Sequence, residues 1–422
     1  MIRQRLLACL AAATAIAAAQ SAAAQDCTIN IGAVLSITGP NAAIGSAIGD
    51  AGRLAVDHFN EAGGAAGCKL NFVLRDDQGQ PNVGVDAAKT LVSIDRSPVI
   101  LGAIASGVSL PILTSVSVPS KVTQISCCSS APTFTELAEE GGTQGYFFRT
   151  LPTDRPQAVV MAKIAKEKGY GSVAIIYVNS DYGNAMAKNF TAAAEAQGIE
   201  VTDVVGYNQE QASYRAEVSA ALKGKPDALF LVAFPADGAT ITREWLAFGG
   251  SKQLLLSNAM RAREYVEAVG AQHLTEAVGI DNAQTEGPSV EAFNAAWTAE
   301  KGSPPEGPGL HTMYDATAVA LLALEKAGAP DGTAIRDAVR EVTGGQGTTI
   351  YPGPEGFAKA KELIAAGEPI TYEGATGPIK FDENGDVTGP YLIWGVADGE
   401  LTTLDQWDMA RVDAALAEVS GQ

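Results

Sequence analysis

Apolar and polar positions along this chain alternate in blocks with a steady beat. Short runs that are apolar throughout fall at 29–35, 70–74, 99–101 and 122–125, and the stretches between them, at 44–61, 83–94 and 110–116, carry helical spacing. The last connection of this series ends at Phe147-Phe148-Arg149. A second series then follows, with helices predicted at 155–168, 183–197, 213–222 and 237–248 and strands at 173–178, 201–205, 228–232, 254–256 and 277–280. Strands that are apolar on both faces and alternate with helices imply parallel sheets covered on both sides. The pattern therefore predicts an α/β fold of two doubly wound parallel-sheet lobes. Helices at 288–301, 311–327 and 332–342 return to cover the first lobe, and a Gly/Pro-rich stretch at 344–377 with one short helix at 356–366 interrupts the pattern. Short strands at 379–381, 391–395 and 401–404 finish it. Crossings near 148–151, 280–284 and 374–378 would make a multi-strand hinge. The division that follows is a leader at 1–24, a first lobe at 25–148 plus about 283–375, and a second lobe at 149–282 plus about 376–422.

The leader rests on its own chemistry. Arg3 and Arg5 precede an apolar run over 6–19, and Ala22-Ala23-Ala24 offers small residues for signal-peptidase cleavage. That run is shorter than the roughly 20 residues a membrane-spanning helix needs, and Cys9 comes too early for a lipoprotein site. A protein exported to the periplasm and released there is expected. Without Arg3 and Arg5 the 29 basic residues of the 422-residue chain fall to 27 against 48 acids, a net charge near −21. So acidic a chain repels nucleic-acid phosphates and anionic lipid.

Four cysteines follow the leader. Cys27 and Cys68 each stand four residues before an apolar residue of a strand, Ile31 and Phe72, so parallel neighbouring strands would set them side by side for a disulfide. The adjacent Cys127 and Cys128 are either two small buried thiols or a vicinal disulfide. Zinc is not expected, with no CxxC spacing and only His58, His273 and His311 available. The chain has no G-x-S-x-G elbow, no phosphate loop and no G-x-G-x-x-G after its first strand, so no catalysis and no cofactor are expected. Asp382-Glu383-Asn384-Gly385-Asp386 mimics a calcium loop, but Val387 and Ile393 stand where an EF-hand needs Gly and Glu. The Asn-Gly pair reads instead as a hairpin turn.

Small hydroxyl residues cluster just after two strands of the first lobe, at Ala105-Ser106-Gly107 and Ser126-Cys127-Cys128-Ser129-Ser130-Ala131-Pro132. Each opens a helical segment at the C-terminal end of a strand, where open α/β sheets bind ligands and backbone amides favour a carboxylate. Plain helix capping by Ser109 and Ser130 is the competing reading.

The chain from 28 to 400 resembles the type I periplasmic solute-binding proteins of the leucine/isoleucine/valine-binding family. The resembling segments run in family order: Ile31-Gly32-Ala33-Val34-Leu35 with Thr38-Gly39-Pro40, Phe59-Asn60-Glu61-Ala62-Gly63-Gly64, Asp76-Asp77, the two serine loops, Phe148-Arg149-Thr150, Asp181-Tyr182-Gly183, Tyr314-Asp315-Ala316 and Phe381-Asp382-Glu383-Asn384-Gly385. The resemblance implies two lobes that close on a small solute and hand it to the membrane permease of an ABC transporter, with a monomer as the working unit. It places Ser106 and Ser130, with Gly107 beside them, at the solute's carboxylate. Cys128 stands where family members contact the ligand through backbone, and Tyr182 covers the other face. Phe234 and Asp237 are weaker second-lobe candidates, Asp237 either receiving an ammonium group or capping the helix at 237–248. Two departures bear on specificity: Ile44 stands where binders of amino acids often carry an aromatic, and Ser257-Asn258-Ala259-Met260 lacks the Glu that pairs with the ammonium of branched-chain ligands. Short amides, ω-amino acids and aromatic acids stay open beside amino acids, as does a role as a sensor subunit for a membrane receptor.

Overall fold

The computed structural model describes residues 27–420; the expected leader lies outside them. The first series is β1 (Thr28–Leu35), α1 (Ala42–Glu61), β2 (Lys69–Asp76), α2 (Pro81–Ser93), β3 (Val99–Gly102), α3 (Ser106–Ile112, running on through a π-helical turn at Leu113–Ser117), β4 (Thr123–Ser126), α4 (Thr133–Glu139) and β5 (Phe147–Arg149). Its strands form a five-stranded parallel sheet in the order β2-β1-β3-β4-β5. The apolar strands are buried as their composition requires: β3 and β4 are buried at every position. Thr28 pairs with Lys69, a register that sets Cys27 beside Cys68, and their sulfurs are bonded.

The second series is α5 (Asp154–Glu167), β6 (Ser172–Val178), α6 (Asp181–Ala196), β7 (Glu200–Tyr207), α7 (Arg215–Ala221), β8 (Ala228–Val232), α8 (Pro235–Ala247), β9 (Leu254–Leu256), α9 (Arg263–Val269) and β10 (Val278–Asn282). The chain then returns to the first lobe with α10 (Pro288–Lys301), α11 (Leu310–Ala327) and α12 (Gly332–Thr343). Helix α11 is buried from Leu310 through Leu324, because it lies under α1 and α12 rather than on the surface. Next come β11 (Thr348–Ile350), α13 (Pro354–Ala365), β12 (Ile370–Gly374) and β13 (Gly377–Pro378), then β14 (Tyr391–Ala397), β15 (Glu400–Trp407) and α14 (Met409–Ser420). The second sheet has seven strands in the order β15-β14-β10-β9-β8-β6-β7. Strands β14 and β15 join it antiparallel, so this sheet is mixed rather than wholly parallel.

The chain passes between the two sheets three times: between Arg149 and Asp154, between Asn282 and Pro288, and between Pro378 and Tyr391. Asp315 on α11 fixes the segment that leads into the third crossing. Its carboxylate accepts from the Tyr372 hydroxyl at 3.0 Å, the Ala375 and Thr376 amides at 2.6 and 2.9 Å, and the Thr376 hydroxyl at 2.7 Å.

Three expectations are corrected. Residues 379–381 form no strand, and so the turn at 382–386 closes no hairpin. Arg340 donates to the carbonyls of Asp382 and Glu383, Arg149 takes the Asp386 carboxylate, and the Asp382 side chain accepts the Asn384 and Asp386 amides, so this backbone finds its partners outside a ladder. The stretch at 344–377 carries a small three-stranded sheet, β11-β12-β13, around its helix. Helices α9 and α14 were not expected at all.

Candidate functional site

The order of each sheet reverses at one strand pair, between β1 and β3 in the first and between β6 and β8 in the second. Loops leaving β3, β4, β6 and β8 gather at those points and face each other across a cleft. From the first lobe it is lined by Ile44 and Ile48 of α1, by Ile104, Ala105 and Ser106 after β3, and by Cys127, Cys128 and Ser130 after β4. The second lobe brings Tyr182, Phe234, Asn258 and Ala259. The crossings add Leu151, Asp281 and Asn282, and the turn into α11 adds Pro308, Gly309 and Thr312.

Serines tie the first-lobe loops together. The Ser109 hydroxyl accepts from the Ala103 amide at 2.7 Å and lies 2.7 Å from the Ser129 hydroxyl. Ser126 donates to the Ala103 carbonyl and accepts from the Cys128 and Ser129 amides. Ser106 accepts from the Ala131 amide at 3.2 Å, joining the two loops directly. Neither expected cap exists. Ser109 lies inside α3, which starts at Ser106 after Ala105, and α4 starts after Pro132 with no side-chain cap. The sulfurs of Cys127 and Cys128 are joined.

Arg149 holds the second serine loop from behind. It is fully buried, donates to the carbonyls of Ser129 and Ala131 at 3.1 and 2.8 Å, and pairs with Asp386 at 2.6 Å. Thr150, next in sequence, donates to the Thr312 carbonyl at 2.7 Å. Gly309 is required by space and by backbone. Its φ is +83°, and a methyl there would stand 2.7 Å from Ile48 Cδ1 and 3.1 Å from Cys128 Sγ.

On the facing lobe the Tyr182 hydroxyl donates to Asn258 Oδ1 at 2.7 Å, so this phenol braces the 258–260 turn and offers its ring to the cleft. The Phe234 ring lies 5.9 Å from it, centroid to centroid. The lobes meet at Gly107, where a methyl would lie 3.7 Å from Ser180 Cβ.

Ile44, Ser106, Cys128, Ser130, Tyr182 and Phe234, singled out from the sequence, thus line one cleft, whereas Gly107 and Asp237 do not. Gly107 sits at the lobe contact. Asp237 neither lines the cleft nor caps the helix: α8 begins at Pro235 after Phe234, and the Asp237 carboxylate accepts from the Tyr214 hydroxyl and the Glu210 amide.

Two buried acids were missed. Asp281, at the end of β10, is raised to about 6 by burial, with Arg261 and the Asn282 amide pulling it back. Its signal was a charge closing an otherwise apolar strand. Asp154 opens α5 fully buried. Burial lifts it to about 7, with the Ser130 hydroxyl and Arg149 opposing. Two of the three histidines are committed elsewhere: His58 bonds the Tyr314 hydroxyl at 2.7 Å and His311 bonds Asn294 at 2.9 Å.

The family model described as periplasmic binding protein matches residues 28–400. The chemotactic signal transduction system substrate-binding protein BasB of Halobacterium salinarum is 28% identical over 382 residues, covering 89% of this chain and 88% of its own. The Leu/Ile/Val-binding protein BraC3 of Rhizobium johnstonii is 29% identical, over 87% and 93%. Among solved structures, the leucine binding protein LivK of Thermotoga maritima superposes with a TM-score of 0.76 at 22% identity, over 90% of this chain and 99% of that one.

Proposed function

This chain belongs to the periplasmic binding protein family, in its leucine/isoleucine/valine-binding branch, and on that premise we propose that it captures a small amino acid or related carboxylate between its lobes and delivers it to an ABC importer's permease. The observation that carries this reading is the asymmetry of the cleft. One wall offers the hydroxyls of Ser106 and Ser130 and the amides that open α3, suited to a carboxylate; the rest is largely apolar and aromatic, suited to a hydrocarbon side chain. The solute docks on the first lobe, and closure brings Tyr182 and Phe234 over it, shifting the population toward the closed form.

The reading includes export by the leader at 1–24, a soluble monomer in the periplasm, lobes divided at 25–148 plus about 283–375 and 149–282 plus about 376–422, and binding without catalysis. An oxidising compartment suits the Cys27–Cys68 bond. No helix among the described residues is long and apolar enough to cross a membrane.

The test is a thermal-shift screen on protein unfolded and refolded to strip carried solute, against leucine, isoleucine, valine, short amides, ω-amino acids and benzoate. A cognate solute at 100 times its dissociation constant adds about 2.7 kcal/mol. No shift from any of them overturns the reading. A second reading, presentation of the loaded protein to a membrane chemoreceptor, is favoured by the likeness to BasB. Loss of taxis with uptake intact in a deletion strain would select it.

A further inference from the structure

The segment 257–260 offers no acid for an amino group, yet the cleft is not without one. We propose that Asp281 is the counter-charge for the solute's ammonium group, so that specificity for a zwitterion comes from the strand that enters the second crossing. This rests on the solute-capture reading above.

Asp281 is the one charged side chain among the described residues that line the cleft. It is 4% exposed, and water at such a depth screens a charge poorly. Its acceptor capacity is only partly used. Oδ1 accepts from the Asn282 amide at 2.8 Å, and Oδ2 lies 3.4 Å from one Arg261 nitrogen, whereas a carboxylate can accept about four hydrogen bonds. Arg261 itself lines a separate groove beside Trp297 and Lys301, so it backs the carboxylate without entering the cleft. That placement keeps Asp281 ionised near neutral pH, since burial alone would carry it higher.

Two further residues of the lining carry a buried acceptor without a partner, Asn282 at Oδ1 and Thr312 at Oγ1. An ammonium group has three N–H donors to place. The nearby Asn258 oxygen is already taken by Tyr182, which leaves this end of the cleft short of donors. A structural ion pair pinning Arg261 to β10 accounts for the 3.4 Å contact but not for the unpartnered acceptors.

The test compares leucine with 4-methylpentanoate, which is leucine with its amino group replaced by hydrogen. Calorimetric titrations use the refolded wild type and Asp281→Asn near neutral pH. The wild type should prefer leucine, and D281N should bind leucine roughly 100-fold more weakly, the scale of removing one partner of a buried charge pair. Its affinity for 4-methylpentanoate should stay within about threefold, under 1 kcal/mol. An equal loss for both ligands makes Asp281 a structural residue and overturns the proposal, as does unchanged leucine binding. Should D281N fail to fold, Arg261→Gln combined with D281N removes both charges of the pair and reads the same ratio. A wild type that binds 4-methylpentanoate but not leucine overturns the role of Asp281 and leaves solute capture standing. One that binds neither, nor any other solute of the screen, overturns capture itself.

Discussion

The buried carboxyl of Asp154 sets a pH signature that can be followed one residue at a time. Raised to about 7 by burial, it keeps a proton in the folded state that the unfolded chain releases near pH 4. Its contribution to stability is therefore full at low pH and is lost as pH rises toward 7. Asp154→Asn should leave stability at pH 4 nearly unchanged and raise it at pH 8 by a few kcal/mol, at about 1.4 kcal/mol per pH unit between the two values; urea melts at both pH values check this. Arg149 argues the opposite case, because its charge is fully met. Arg149→Met strands Asp386 and frees the Ser129 and Ala131 carbonyls, with an expected loss of about 3–5 kcal/mol in a denaturant melt. Residue types also mark what the sequence could disclose. Ser106, Ser130, Tyr182 and Phe234 were legible because each follows an apolar strand directly. Asp281 stood just past the strand expected at 277–280 and Asp154 just before the helix expected at 155–168. Nothing local says which carboxylate will be buried, since that depends on which loops pack over it.

Strands and long helices were largely legible because their burial is uniform. Strands β8 and β9 carry apolar side chains at every position, and their bounds are those expected from sequence. Where burial is one-sided the pattern is weaker. In α14, Met409, Val412, Leu416 and Val419 recur at helical spacing, yet charged neighbours and its place after the last strand masked it. Strand β11 has only Ile350 buried, so its three residues gave no period to detect. The first sheet offers an element-scale prediction. The bond between Cys27 and Cys68 spans 41 residues of sequence, joining the start of β1 to the start of β2. Converting both cysteines to serine should lower stability by about 4 kcal/mol on the chain-entropy account, read as a lower urea midpoint in the oxidised protein.

At the scale of the whole molecule, the contact between Gly107 and Ser180 offers a latch. A Cβ at 107 would lie 3.7 Å from Ser180 Cβ, within the usual range of about 3.5–4.5 Å for a disulfide. The double variant G107C/S180C, oxidised in the closed form, should hold solute through dialysis and release it on mild reduction, while the wild type exchanges freely in both conditions; radiolabelled leucine retained on a desalting column would show the difference. Failure to crosslink in the presence of solute would mean the lobes close along another path.

Arg149 carries a consequence for the order in which this protein is completed. The loop bearing Ser130 is set by a guanidinium whose acid, Asp386, is encoded 237 residues later, and the Arg149 amide itself donates to Gly385. The early half of the chain thus contains the serines and Arg149 but not the acid that fixes the guanidinium. A nascent or truncated chain ending before Gly385 can lay down the first sheet and still present a slack loop. The bracing of that serine loop is finished only when nearly the last tenth of the polypeptide arrives.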